Sequence, residues 1–349
     1  MERAVDQSID GAVDQAWKEF EQESRHPQWR YLSACYLQNF FSVESQIELA
    51  SEITIHHRNS YNLRTEGRSD FQVKNFHDDW HGEQHLLVVE ERVAKRPENF
   101  LLGGTGTHYP VTLRSLRALR LAKEGDVHIA GERTLRKIQT TRPVGAGFPP
   151  NAGIATHGTT VRRLGDAYSL TAQDIEHVRN VYVQVCRLDE LGAPFPYHLD
   201  LALQFFESSY DRVPARDDIK VVDLITAAEA LLVSTQDSTF RLAFRLARLL
   251  GRDDGERTAT FDAIRGFYDA RSKVVHGAKI KPKQEKFSSN YPALRNRVRE
   301  LILGFIHLAL NSRTDYPESY FSGGSLDSDL LSDAKTNALR HAMKITKNL

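Results

Sequence analysis

Apolar residues recur at three- and four-residue steps over Val5, Ile9, Val13, Ala16, Trp17 and Phe20, the period of an amphipathic helix from about Arg3 to Glu23 that Pro27 ends. A second helix is expected from Tyr31 to Phe41, a stretch dense in aromatics. Beyond it the pattern loosens into short segments such as Glu52 to His56, and HLLVV, His85 to Val89, reads as a buried strand. Ser115 to Ala122 reads as a short helix, and Val127 to Ile129 as the opening of another strand. The first part of the chain is therefore expected to be a mixed α+β domain without a clear repeat.

From Thr171 onward proline and glycine thin out and helical periodicity takes over. Thr171 is a good N-cap, and Ile175, Val178, Val181, Tyr182, Val185 and Leu188 trace one apolar face behind it. Further helices are expected over His198 to Tyr210, Ile219 to Val233 and Thr239 to Leu250, the last carrying Phe240, Ala243, Phe244, Ala247 and Leu250 toward the core. A fifth holds Phe261, Ile264, Phe267 and Tyr268 and ends at Gly277, and a sixth, Tyr291 to Leu310, completes a bundle. One more amphipathic helix, Leu330 to Ile345, is expected in the tail. The architecture expected is an α+β domain over residues 1–169, an all-α helical bundle over 170–315, and a helical tail over 316–349.

Charge and cysteine usage narrow the setting. In 349 residues, 46 basic side chains balance 46 acidic ones, so an anionic partner must be bound by a local patch and not by a global field. The two cysteines, Cys35 and Cys186, are far apart and form no metal-ligand spacing, which fits a reducing cytoplasm. The N-terminus carries acids where a signal peptide carries bases, and the longest apolar run, Leu301 to Leu310, is too short to span a bilayer. A cytoplasmic protein with no membrane partner is expected.

Three places invite chemistry. FHDDWHGEQH sets His77, His81 and His85 at four-residue steps beside Asp78, but Gly82 and the strand-like HLLVV argue for a polar loop, and no metal or other cofactor is expected. The loops Gly103 to Pro110 and Arg142 to Gly153 match neither a P-loop nor a dinucleotide fingerprint and read as turns. FYDARSKVVHG, Phe267 to Gly277, places Arg271 and His276 at a helix end: a fork of phosphate donors and a group that moves a proton near neutral pH. Without further context Arg271 would pair with an acid such as Asp269 or Glu229, and His276 would answer the helix dipole. Glu229, alone in AAEALLV, either lies exposed at the bundle rim or pairs with Arg271 or Arg265.

VVDLITAAEALLV, TFRLAFRLARLLG and FYDARSKVVHG, in that order and at these separations, resemble the HEPN superfamily, and most of all its Apea-like branch, over about residues 171–312. That resemblance implies a HEPN-like bundle that forms a homodimer, with the RxxxxH residues Arg271 and His276 of both copies in one cleft. It implies a metal-independent endoribonuclease of phage defence, or a toxin-type effector, answering to a phage-derived trigger through a sensing or regulatory N-terminal domain. RNA would be cut by attack of the ribose 2′-OH. The alternative within the family is a non-catalytic dimerisation or RNA/nucleotide-binding module. Ser272 stands where many active relatives carry Asn, Asp or His; it and Glu229 would support the site.

Helical spacing bears on the same point: five residues turn about 500°, leaving Arg271 and His276 roughly 140° apart, so one straight helix cannot aim both at one point. Either the helix loosens toward Gly277 or a second copy completes the site. Ser272, four residues before His276, shares its face. Lys273, Lys279, Lys281 and Lys283, with Lys286, make a basic stretch beside the motif, read as a loop that either is simply solvated or guides RNA.

Overall fold

A computed structural model describes residues 28–57, 85–94, 109–136, 153–155, 165–192, 195–212, 216–232, 238–278, 282–322 and 324–345, with isolated positions between 14 and 25. An antiparallel sheet region comes first and a mostly helical region follows. The chain divides into two compact units, Met1–Val161 with Gly165–Arg179, and Arg162–Leu164 with Asn180–Leu349.

In the first unit, strands β1 (Gln28–Gln38), β3 (Gln46–Ala50), β4 (Ile53–His57), β5 (His85–Ala94), β6 (His128–Arg136) and β7 (Gly153–Ala155) form one sheet in the order β3-β4-β5-β1-β6-β7. Each neighbouring pair is antiparallel. β2 (Phe40–Ser42) and β8 (Tyr168–Leu170) make a separate parallel pair, and helix α1 (Tyr109–Ala122) joins β5 to β6 in sequence. The stretch expected as a second helix, Tyr31 to Phe41, is instead β1 and β2. β1 is hydrogen-bonded on both edges, by β5 and β6, and Ala34, Cys35, Tyr36 and Leu37 are all buried. Consecutive buried positions leave no polar face to show a strand's alternation, and the aromatic residues pack well on a pleated surface.

HLLVV opens β5, and α1 contains Ser115 to Ala122. Pro110, grouped in sequence with the preceding glycine loop, is the second residue of α1. Of the expected helix Arg3 to Glu23, Asp14, Trp17, Lys18 and Glu21 fall among the described residues, and all four are helical. His77, Asp78, His81, the glycines of 103–106 and most of the 142–153 loop lie outside the described residues.

Helix α2 (Ala172–Glu190) starts where Thr171 predicts: the Thr171 amide and hydroxyl both donate to the Asp174 carboxylate, at 2.8 and 2.7 Å. The division between units falls within α2. The bundle helices follow as α3 (Leu199–Asp211), α4 (Asp217–Leu232), α5 (Ser238–Leu250), α6 (Asp254–Val275), α7 (Pro282–Ser289) and α8 (Tyr291–Asn311). α4 is the central one. It packs against α3, α6 and α8, burying Val221, Leu224, Ile225, Ala227, Ala228, Leu231 and Leu232.

Two expectations change here. The basic stretch read as a loop is in part a helix, α7, opened by Pro282, whose missing N–H costs nothing at a first turn. In the tail, two short helices, α9 (Glu318–Ser322) and α10 (Gly324–Leu330), precede the one expected over Leu330 to Ile345, which is found as α11 (Asp333–Ala342), shorter at both ends. Ser332 caps α11 by accepting from the Lys335 amide, and the Leu330 carbonyl that a continuous helix would use accepts from Arg248 Nε at 2.6 Å.

The tail is held by α5. Arg245, 1% exposed, grips the Asp327 carboxylate through Nε and Nη2 at 2.6 and 2.9 Å, and its Nη1 donates to the carbonyls of Leu232 and Phe321. Arg248 reaches Asp333 at 2.7 Å. Because α5 turns Leu242, Arg245, Leu246 and Leu249 inward, Phe240, expected on the core face, lies outward at 61% exposed.

Candidate functional site

α6 carries the motif, and its two ends are built differently. At the start, Asp253 accepts from the Glu256 amide at 2.8 Å while Glu256 accepts from the Arg252 amide at 3.0 Å, a reciprocal cap that fixes the first turn. At the end, the Ala278 amide donates to the Lys273 carbonyl at 2.9 Å and the Gly277 amide to the Val274 carbonyl at 3.1 Å. This is the paired closure of a glycine-stopped helix, and Gly277 takes the left-handed φ of 64° that it requires. His276 is thus the C-cap residue, exposed, its amide still donating to the Ser272 carbonyl at 3.1 Å.

The helix therefore stays regular as far as His276 and does not loosen before it. Arg271 and His276 remain about 140° apart around the axis. Of the two ways to bring them to one point, unwinding of the last turn does not occur in this chain.

Arg271 lies on the flank of α6 that meets α4. Its Nη2 donates to Glu229 Oε2 at 3.3 Å, with the two side chains 26% and 18% exposed. Of the alternatives open for Glu229, pairing with Arg271 is the one found. The guanidinium sits over the Tyr268 ring at 5.5 Å, while its Nε is buried with no hydrogen-bond partner among the described residues. The enclosed Nε is out of an anion's reach, so any capacity of this half-buried guanidinium for an anion lies in its terminal N–H groups beyond the one given to Glu229. From sequence Tyr268 reads only as an apolar position of the helix; its place three residues before Arg271 was the signal for a role beside the guanidinium.

Ser272 and Lys273 are half-buried on the last turns of α6, and their carbonyls, not their side chains, make the contacts that end the helix. Lys279 and Lys281 lie outside the described residues; Lys283 and Lys286 fall on α7, with Lys286 exposed. α7 is seated on α6 by Phe287, whose ring meets Phe267 edge-on at 5.5 Å and covers Gly266 so closely that a Cβ there would come within 2.2 Å of it. That small-residue notch brings the lysine-bearing helix alongside α6.

Elsewhere, His85 is buried in β5, its ring nitrogens near the Phe40 and Ser42 carbonyls but without a well-aligned hydrogen bond, edge-on to His57 at 5.3 Å and to Phe40 at 5.0 Å. Burial, reinforced by His57, lowers its pKa below the usual histidine value against the opposing pull of the Phe40 and Ser42 carbonyls. Among the described residues no group of three or more His, Cys, Asp or Glu is arranged to hold a metal ion, and no helix is long and apolar enough to cross a membrane. Compared with protein-family models, curated proteins and solved structures, the chain matches none.

Proposed function

We propose that the helical unit is a metal-independent endoribonuclease of the HEPN type, acting in the cytoplasm as a phage-defence or toxin-type effector, with its site shared between two copies. One observation carries the reading: α6 presents an exposed imidazole at a regular, glycine-closed helix end, while Arg271 is fixed on a different face by Glu229. A single copy then offers half a site, and a two-fold partner would supply the other half.

In the reaction proposed, His276 of one copy takes the proton from a ribose 2′-OH as the oxygen bonds to phosphorus. The imidazole of the other copy gives a proton to the departing 5′-oxygen, while Arg271 offsets the added charge on the phosphorane. The products are a 2′,3′-cyclic phosphate and a 5′-hydroxyl, and DNA, lacking the 2′-OH, would not react. The sheet unit would sense a phage-derived trigger or restrain the helical one, and Lys273, Lys279, Lys281 and Lys283 would lie along the RNA.

Purified protein incubated with total RNA tests this. Cleavage leaving cyclic phosphate ends is expected, reduced about 100-fold or more in Arg271→Ala and His276→Ala. RNA left equally intact by all three proteins, together with expression in cells that is harmless with or without His276, would sink the nuclease reading. The pairing of Arg271 with Glu229 favours a second one, a non-catalytic dimerisation or RNA/nucleotide-binding module, because a neutralised guanidinium has less charge to offer a phosphorane.

A further inference from the structure

Rings that the apolar period would send to the core form an outward patch beside the motif. Phe240 is 61% exposed and lies parallel to Phe244, 3° between the planes at 6.1 Å. Phe261 of α6 meets Phe240 edge-on at 5.7 Å, and the exposed Arg265 holds its guanidinium over Phe261 at 5.7 Å. One exposed ring set against two half-buried ones makes a small outward apolar surface, and such surface beside a candidate site is a place for interaction.

The patch is continuous with the candidate site. On α6, Arg265, Tyr268 and Ser272 lie within about 40° of Phe261 around the axis, so one stripe runs from the rings to the last turn. From Phe261 to Arg271 is about 15 Å of helix, room for about four stacked nucleotides.

We infer that the stripe formed by Phe240, Phe244, Phe261 and Arg265 is a base-stacking platform for single-stranded RNA that leads the strand to Arg271 and His276. The inference rests on the reading of RNA as the substrate. A flat, exposed ring gives any base a face to stack on, and an adjacent guanidinium serves the phosphate. Arg265 pairs with no acid among the described residues; the exposed Asp262 and Asp269, three residues before it and four after it, flank it at about 40–60° round the helix, on the side away from the rings, about 80–100° from Phe261. A second copy of the chain seated on the stripe would bury Asp262 and Asp269 beside the rings, against the depletion of aspartate in protein interfaces. A strand of RNA instead uses the arginine.

The test uses the full-length chain carrying His276→Ala, so that bound RNA is not cut, and two fluorescent 12-mers, oligoadenylate and the same sugar-phosphate backbone without bases. Oligoadenylate should bind more tightly than the abasic strand. Adding Phe240→Ala should weaken oligoadenylate about 10-fold and leave the abasic strand unchanged, Phe240→Trp should restore binding, and Arg265→Ala should weaken both strands. Equal affinity of Phe240→Ala and its parent for oligoadenylate, an equal loss on both strands, or no binding of either by the parent overturns the inference. A fall in mass by light scattering on Phe240→Ala with RNA affinity unchanged overturns it in favour of a second copy. Cleavage of total RNA by the His276-bearing chain is scored separately: RNA cut with Phe240 immaterial removes the platform alone, and a Phe240-dependent strand left uncut removes the nuclease alone.

Discussion

Glu229 shows how one side chain links packing to the candidate chemistry. It sits among buried alanines and leucines of α4 and its carboxylate reaches across to Arg271 of α6. Removing it would leave a half-buried guanidinium facing apolar neighbours, so Glu229→Ala is expected to cost about 1–3 kcal/mol, with Glu229→Gln costing less because the amide still accepts a hydrogen bond. Urea unfolding of the two variants checks this; equal stability of all three proteins would mean that the pair contributes nothing. His85 supports a second expectation. Its folded pKa is depressed by burial, so the unfolded chain binds the proton more readily, and stability is fully present above the unfolded value of about 6.5. It is lost progressively as pH falls from there toward the depressed folded value. His85→Leu should flatten that dependence in a pH series of denaturation midpoints, and an unchanged slope would assign it to other groups.

Among the elements, α7 is the one whose position depends on a single small residue. A methyl group at Gly266 would press on the end of the Phe287 ring, which can swing aside only by giving up its seat against Phe267. Gly266→Ala is therefore expected to release α7 while α6 stays folded, read as faster amide exchange over 282–289 with little change over 254–275. Uniform protection in the variant would place the hold on α7 elsewhere. At the end of α6, Gly277→Val should cost about 1–2 kcal/mol, because a left-handed φ crowds any Cβ and a branched one most. A denaturation midpoint unchanged from wild type would contradict that.

At the scale of the whole chain, the tail belongs to the helical unit's fold. Arg245 is buried with its charge answered by Asp327, 82 residues away in sequence. Asp327→Ala would strand that charge, and a loss of about 3 kcal/mol or more is expected in chemical denaturation. Asp333, held below its usual carboxylate range by the hydrogen bond from Arg248, adds a pH-dependent grip that is present at neutral pH and lost as pH falls through its depressed value. The order of the bundle helices, the cap at Thr171 and the stop at Gly277 were all legible from period and capping residues, since those rules act over a few neighbouring positions. For Glu229 the sequence left an exposed rim position open beside pairing with Arg271 or Arg265, and the packing of α4 on α6 chose Arg271. Three features were not legible. Tyr31 to Phe41 became strand because β5 and β6 flank it, the lysine stretch read as a loop became helix α7 with Phe287 seated over Gly266 and Phe267, and Phe240 turned outward with Arg245 buried in its place. Each was decided by a partner distant in sequence. Local pattern therefore determined which segments of the bundle other than α7 are helical and where Arg271 and His276 stand along α6, and tertiary packing alone decided which faces those helices bury and which rings they leave beside the candidate site.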